Sequence, residues 1–128
     1  MILKELRIET WSGAATNCYI VQDEVTKETM VIDPAGDVEK IFSNLMEKKQ
    51  VYPDVIIVDP PRKGLDNNTI NNILAVKPKK IVYISCNPAT MVRDMKLLSE
   101  NYEIGNIQPV DMFPFTSHVE CVSLLCLK

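Results

Sequence analysis

Apolar and polar residues alternate from Leu3 to Thr10, and stretches rich in β-branched and aromatic residues follow at Ala15–Gln22 and Glu28–Ile32. Alternation of period two predicts strands, and the polar connection opened by Asp23-Glu24 makes the pattern antiparallel. After Pro34-Ala35-Gly36 the period changes. Val38, Ile41, Phe42, Leu45 and Met46 recur at i, i+3, i+4, i+7 and i+8, which places them on one face of a helix. Asp37 suits its N-cap, and Lys48 and Lys49 suit the negative end of its dipole.

From Pro53 strand-length apolar runs alternate with helical periods. Val55-Ile56-Ile57-Val58 is continuously apolar and stops at Asp59-Pro60-Pro61, which predicts a buried parallel strand. Asp66 or Asn68 caps the next helix, whose Ile70, Ile73 and Leu74 face the sheet before Lys77-Pro78 ends it. Ile81–Ser85 reads as a second buried strand, and Pro88 starts a helix carrying Met91, Val92, Met95 and Leu98. Tyr102–Val110 and Val119–Leu127 then predict a closing antiparallel pair. The order gives an α/β sheet of mixed direction with a β segment in front of it.

Composition narrows the class. With 128 residues, 46% hydrophobic and 24% charged, the chain suits one soluble domain, and no apolar run approaches the roughly 20 residues that span a bilayer. The first residues lack a signal-peptide apolar core, so a cytoplasmic protein is expected. A net charge of −3 speaks against a dedicated nucleic-acid binder. Lys77, Lys79 and Lys80 with Arg62 and Lys63 offer a local basic patch, or simply a solvated connection. Cys18, Cys86, Cys121 and Cys126 show no CxxC spacing and have one histidine to join them, so free thiols and no metal site are expected.

Chemistry-bearing residues gather where strands end, and such ends are where open α/β sheets form their ligand crevice. Cys86 leaves a strand just before a helix, a nucleophile's setting, although on residue chemistry alone a small buried thiol is the more ordinary reading. Asp59 either presents a carboxylate from a proline-fixed turn or merely ends a strand. Arg62 either clamps an anion or is solvated. Glu120 interrupts an apolar strand, so it is surface-facing or a base. His118 is an acid–base group, a donor to substrate, or neither.

Three motifs in order then resemble the C-terminal half of the RNA uracil-5-methyltransferases. They are Asp59-Pro60-Pro61-Arg62-Lys63-Gly64; Ser85-Cys86-Asn87-Pro88-Ala89-Thr90 with Arg93-Asp94; and Gln108-Pro109-Val110-Asp111-Met112-Phe113-Pro114 followed by Thr116 and His118-Val119-Glu120. Phe115 departs from the polar residue expected at its position. The resemblance, over residues from about 53 to 128, implies a partial Rossmann-like methyltransferase sheet. It implies methyl transfer from S-adenosylmethionine to carbon 5 of a uridine in rRNA or tRNA. Cys86 would be the nucleophile and Glu120 the base, Asp59 would face the cofactor, and Pro60, Arg62, Asn87 and His118 would face the RNA.

Residues 11–36 are similar instead to the opening strands of metallo-β-lactamase-like hydrolases, without their metal-binding histidine cluster. The division expected is an N-terminal β segment, 1–36, and a methyltransferase-like half-domain, 37–128, forming one compact domain. The methyltransferases' glycine-rich cofactor loop and the acidic residue for the cofactor ribose are missing. An enzyme incomplete on its own, served by a homodimer or a completing partner, is therefore expected. The alternative is a non-catalytic, self-associating remnant.

Overall fold

A computed structural model of the chain describes residues 1–9, 15–34, 41 and 52–128. Among these, eight strands form one sheet: β1 (Ile2–Glu9), β2 (Ala15–Gln22), β3 (Thr29–Ile32), β4 (Val55–Val58), β5 (Lys80–Ser85), β6 (Tyr102–Ile104), β7 (Gln108–Val110) and β8 (Glu120–Leu127). Two described helices, α1 (Asn67–Val76) and α2 (Pro88–Leu98), follow β4 and β5. The helix expected over 38–46 lies outside the described residues apart from Ile41, which is buried.

The sheet runs β1-β2-β3-β4-β5-β8-β6, with β7 also paired to β8. β2 is antiparallel to both β1 and β3, β3, β4 and β5 run parallel, and β8 is antiparallel to all its neighbours. The N-terminal strands thus continue the sheet, with β3 lying directly beside β4. This is the mixed α/β arrangement that the hydrophobic pattern predicts.

One row across the sheet shows where the core sits. Ile20 pairs with Val31, Val31 with Ile56, Ile56 with Ile81 and Ile81 with Leu125, and all five are buried. Ile70 and Ile73 of α1 and Met91, Met95 and Leu98 of α2 join them in one cluster. Because successive strand residues point to opposite faces, the neighbouring row of Ile32, Ile57, Val82 and Leu124 lies on the other face. It is less covered, and Leu124 is 43% exposed.

Local chemistry sets the helix ends. Asp66 caps α1 by accepting from the Thr69 N–H at 2.8 Å, and Lys77 closes it in the left-handed region at φ 53. Asn87 caps α2 with Pro88 in its first turn.

One sequence reading is corrected, and two left open are settled. Tyr102–Val110 is not one strand. Gly105 donates its N–H to the Leu124 carbonyl at 2.9 Å, so the segment divides there into β6 and β7. Val92 is 55% exposed, while Asp94 takes the inward position beside Met91 and Met95. Of the two readings of the lysines and Arg62, the structure fits the solvated connection rather than one patch. Lys80 opens β5 whereas Arg62 follows the end of the parallel β4, roughly 16 Å away along the strands, and Lys79 is paired with Asp54 at 2.7 Å.

Candidate active site

β4 and β5 end side by side at the sheet's carboxyl edge, where β8 begins in the opposite direction. Ser85 pairs with Cys121, so continuing the register by one residue sets Cys86 opposite Glu120. Directly opposed residues of antiparallel strands point to the same face. The same extension sets Asp59 beside Ile84, and Ile84 pairs with Val122. By strand alternation Asp59, Cys86 and Glu120 all belong to the face away from the buried Ile20–Leu125 row.

There they meet in a cavity of about 480 Å³, lined by Asp59, Ile84, Cys86, Val110, Met112, Phe113, Glu120, Cys121 and Val122. Two carboxylates and a thiol thus share largely apolar walls. Asp59 keeps contact with solvent, yet partial desolvation still raises its pKa above the ordinary carboxyl value. Cys86 is partly buried, whereas Cys18 is fully buried, and its thiol is pushed up to about 12 by desolvation and by the nearby charge of Asp33. Cys18 is therefore no competing nucleophile.

The remaining sequence candidates stand beside the cavity rather than in its wall. Pro60 is buried. An Arg62 Nη lies 3.0 Å from Nδ1 of His118, and because a guanidinium can only donate, Nδ1 is the acceptor in this contact. Asn87 accepts the Ala89 N–H through Oδ1 at 3.2 Å and donates through Nδ2 to the Arg62 carbonyl at 2.9 Å. Thr90 Oγ1 donates to that carbonyl too, at 3.1 Å. Both polar atoms of the Asn87 side chain are thus engaged inside the protein, and they tie the loop after β4 to the start of α2.

A second clamp escapes sequence reading. Asp94 is fully buried and accepts from the Tyr83 hydroxyl at 2.6 Å, the Leu65 N–H at 2.7 Å and the Arg93 guanidinium at 2.7 Å. Arg93 also donates to the carbonyls of Lys63 and Leu65. Between these groups Gly64 sits at φ +80, where a Cβ would come within 2.5 Å of Asp94 Oδ2 and 2.6 Å of the Arg93 guanidinium. A carboxylate at i+3 from Met91 on an apolar stripe was the available signal. Met112 and Phe113 were also given no role by sequence, yet they wall the cavity, and the Phe113 ring stands edge-on to His118 with centroids 6.4 Å apart.

Among the described residues no cluster of His, Cys, Asp and Glu is placed to hold a metal ion, and no helix is long and apolar enough to cross a membrane.

Comparison with known proteins matches the part of the chain that carries this site. The family model described as tRNA (Uracil-5-)-methyltransferase matches residues 39–128. The chain is similar to an uncharacterized RNA methyltransferase of Listeria innocua, 57% identical over 82 residues that cover 63% of this chain and 18% of the relative. It is similar to another of Oceanobacillus iheyensis, 51% identical over 94 residues, 73% of this chain and 20% of the relative. Among solved structures it resembles the Pyrococcus abyssi tRNA (uracil-54, C5)-methyltransferase in complex with S-adenosyl-L-homocysteine. That likeness has a TM-score of 0.52 and 50% identity, and covers 56% of this chain and 18% of that one. The chain spans about a fifth of the length of the curated relatives it matches.

Proposed function

Since the chain belongs to the tRNA (uracil-5-)-methyltransferase family, we propose that it carries the nucleophile and the base of a uracil-5 methyl transfer, with Cys86 and Glu120 as the catalytic residues. The observation that carries this reading is that Cys86, Glu120 and Asp59 share one cavity at the ends of adjacent strands.

In the proposed reaction the Cys86 thiolate adds to carbon 6 of a uracil, and the electron pair of the carbon 5–carbon 6 double bond moves toward carbon 5 and the carbon 4 oxygen. That charge makes carbon 5 the nucleophile. S-adenosylmethionine, when bound, would supply an electrophilic methyl group to carbon 5 and leave as the neutral thioether S-adenosylhomocysteine. Glu120 then removes the proton from carbon 5, the double bond re-forms, and Cys86 departs as thiolate. Sulfur is a good nucleophile and a good leaving group here, which is why a thiol suits an addition that must later be undone.

Asp59 and the apolar wall of Met112 and Phe113 fit the cationic, methyl-bearing end of the cofactor, because a partly desolvated carboxylate beside an apolar wall attracts a sulfonium more than one in bulk water does. The chain's glycines, at 13, 36, 64 and 105, do not make the cradle its nucleotide end requires. We therefore assign to this chain the methyl-facing side of the cofactor site, completed by another segment or partner. Arg62 and His118 would meet the RNA at the rim. Asn87 would serve by holding Arg62, and Pro60 by shaping the turn. Whether the RNA is rRNA or tRNA is left to substrate trials. A cytoplasmic enzyme acting on RNA is the reading we adopt.

For residues 1–36 we propose a β extension, akin to the opening strands of metallo-β-lactamase-like hydrolases, joined to the methyltransferase-like half at 37–128. The family match beginning at residue 39 supports a join there, and the shared sheet supports one compact domain.

A covalent trap tests the chemistry. RNA carrying 5-fluorouridine offers no proton at carbon 5, so a methylated adduct on Cys86 should persist and be found by mass spectrometry in the presence of S-adenosylmethionine. No adduct, even after the chain is joined to the remainder of a relative, would refute the reading. A self-associating remnant is the second reading, favoured by the long edge strand β1, whose Ile2 and Leu3 are 48% and 62% exposed. A strictly monomeric chain in gel filtration would dispose of it.

A further inference from the structure

The loop after β7 is fixed in shape and presents apolar side chains to water. Met112 and Phe113 are 62% and 50% exposed although they wall the cavity, and Phe115 is wholly exposed. The Phe113 carbonyl accepts from both the N–H and the Oγ1 of Thr116, at 3.2 and 2.7 Å. Thr116 Oγ1 in turn accepts from the His118 N–H at 3.2 Å. Within that turn Phe115 is held at φ 67, in the left-handed region that non-glycine residues enter at a cost. A phenylalanine strained into place and covered by nothing contributes no burial to the fold. Exposed apolar side chains gathered in one short loop in this way mark a surface that meets a partner.

We propose that Phe115 is a stacking platform for one nucleobase of single-stranded RNA, the neighbour of the uracil held in the cavity. The inference rests on the uracil-methyltransferase reading of that cavity and adds a residue that positions its substrate. Two observations favour RNA over other occupants. First, Phe113 lines the cavity and Phe115, two residues on, does not. A strand that places one base against Cys86 leaves an adjacent base outside the cavity, where Phe115, two residues from its wall, is free to meet it. Second, the patch is bordered by cationic side chains. Arg62 reaches this loop through its bond to His118, and Lys63 beside it is exposed. Aromatic faces for bases with Arg and Lys for phosphates are the combination that holds single strands with little regard to sequence.

The test uses the full chain and a short fluorescein-labelled oligouridylate, followed by fluorescence anisotropy. Because Phe115 is fully exposed, Phe115→Ala keeps the fold, which circular dichroism verifies. The expected result is roughly 5- to 150-fold weaker binding for Phe115→Ala and near-native binding for Phe115→Trp. An oligomer with abasic residues flanking its central uridine should be bound alike by wild type and Phe115→Ala. Equal affinity of the two proteins for the intact oligomer would overturn the proposal and leave the cavity's assignment standing. The same holds if Phe115→Ala instead dissociates a dimer without changing RNA affinity, since the patch would then belong to a second copy. A wild-type chain that binds no oligomer would overturn it as well. Binding through Phe115 without a Cys86 adduct on 5-fluorouridine RNA would sink the catalytic reading alone.

Discussion

The hydroxyl of Tyr83 donates to the buried carboxylate of Asp94 at 2.6 Å. Tyr83 belongs to the covered face of β5 and Asp94 to α2, so this bond joins sheet to helix. Through the Leu65 N–H it also reaches the loop that carries Arg62. Desolvation, reinforced by the bond to Asp94, holds the Tyr83 phenol well above its ordinary pKa, so it remains a donor over the whole working range.

Removing the carboxylate should cost more than removing the phenol. Asp94→Ala strands two donors, Tyr83 and the Leu65 N–H, and is expected to destabilise by about 2–4 kcal/mol. Tyr83→Phe leaves the other partners in place and should cost about 1–2 kcal/mol. Urea unfolding followed by circular dichroism measures both, and the reverse order would contradict the network as described.

Gly64 is the only residue type its position accepts. Gly64→Ala combines a positive φ with a Cβ inside the contact distance of Asp94 and Arg93, and should cost about 1–3 kcal/mol. Since the same loop presents Arg62, the yield of RNA adduct should fall with it. Unchanged adduct formation in a destabilised Gly64→Ala protein would separate the loop from the site.

Glu120 and Cys86 should fail differently. Cys86→Ala prevents addition and gives no adduct. Glu120→Gln permits addition but withdraws the base needed for release, so a covalent complex should accumulate on ordinary uridine RNA, with turnover lowered by about 10²–10⁴-fold. Denaturing gel electrophoresis distinguishes them. A Glu120→Gln protein that turns over at the native rate would remove Glu120 from the mechanism.

Stability should fall at acid pH through Asp54. Desolvation opposes its ionisation, but the Lys79 ammonium at 2.7 Å and the Thr29 N–H at 2.9 Å outweigh it and lower its pKa. A carboxyl depressed in the folded state stabilises above its unfolded pKa, and that contribution disappears as pH falls through the folded value. Wild type should therefore melt above Asp54→Asn at neutral pH and meet it in strong acid. Exposure of Lys79 keeps the difference small. Parallel melting curves at all pH values would be inconsistent with the depressed carboxyl.

What the sequence discloses is mainly local. Asp66, Lys77 and Pro88 mark helix ends because capping is settled within a few residues, and the continuous apolar runs of β4 and β5 reflect burial on two faces. The division of 102–110 depends on where Gly105 meets Leu124 across the sheet, which no local pattern encodes. Asp94 is hidden for the same reason: a carboxylate on an apolar stripe looks outward until its partners, Tyr83 and Leu65, are brought to it. The motifs single out Cys86 and Glu120 as the proposed pair, but only the β5–β8 register sets them face to face.

Strand β8 has β5 along one edge and β6 and β7 along the other. This bears on when the proposed site comes into being. The β1–β2 ladder and the two helices close contacts between residues near in sequence, whereas β5 and β8 must close a long loop before their pairing yields anything in return. The thiol and its facing carboxylate should therefore meet late in folding, and the central amides of β8, flanked on both sides, should be among the slowest to exchange with solvent. In partly folded chains Cys86 should lie apart from Glu120, so the proposed reactive pair would be a property of the native state alone.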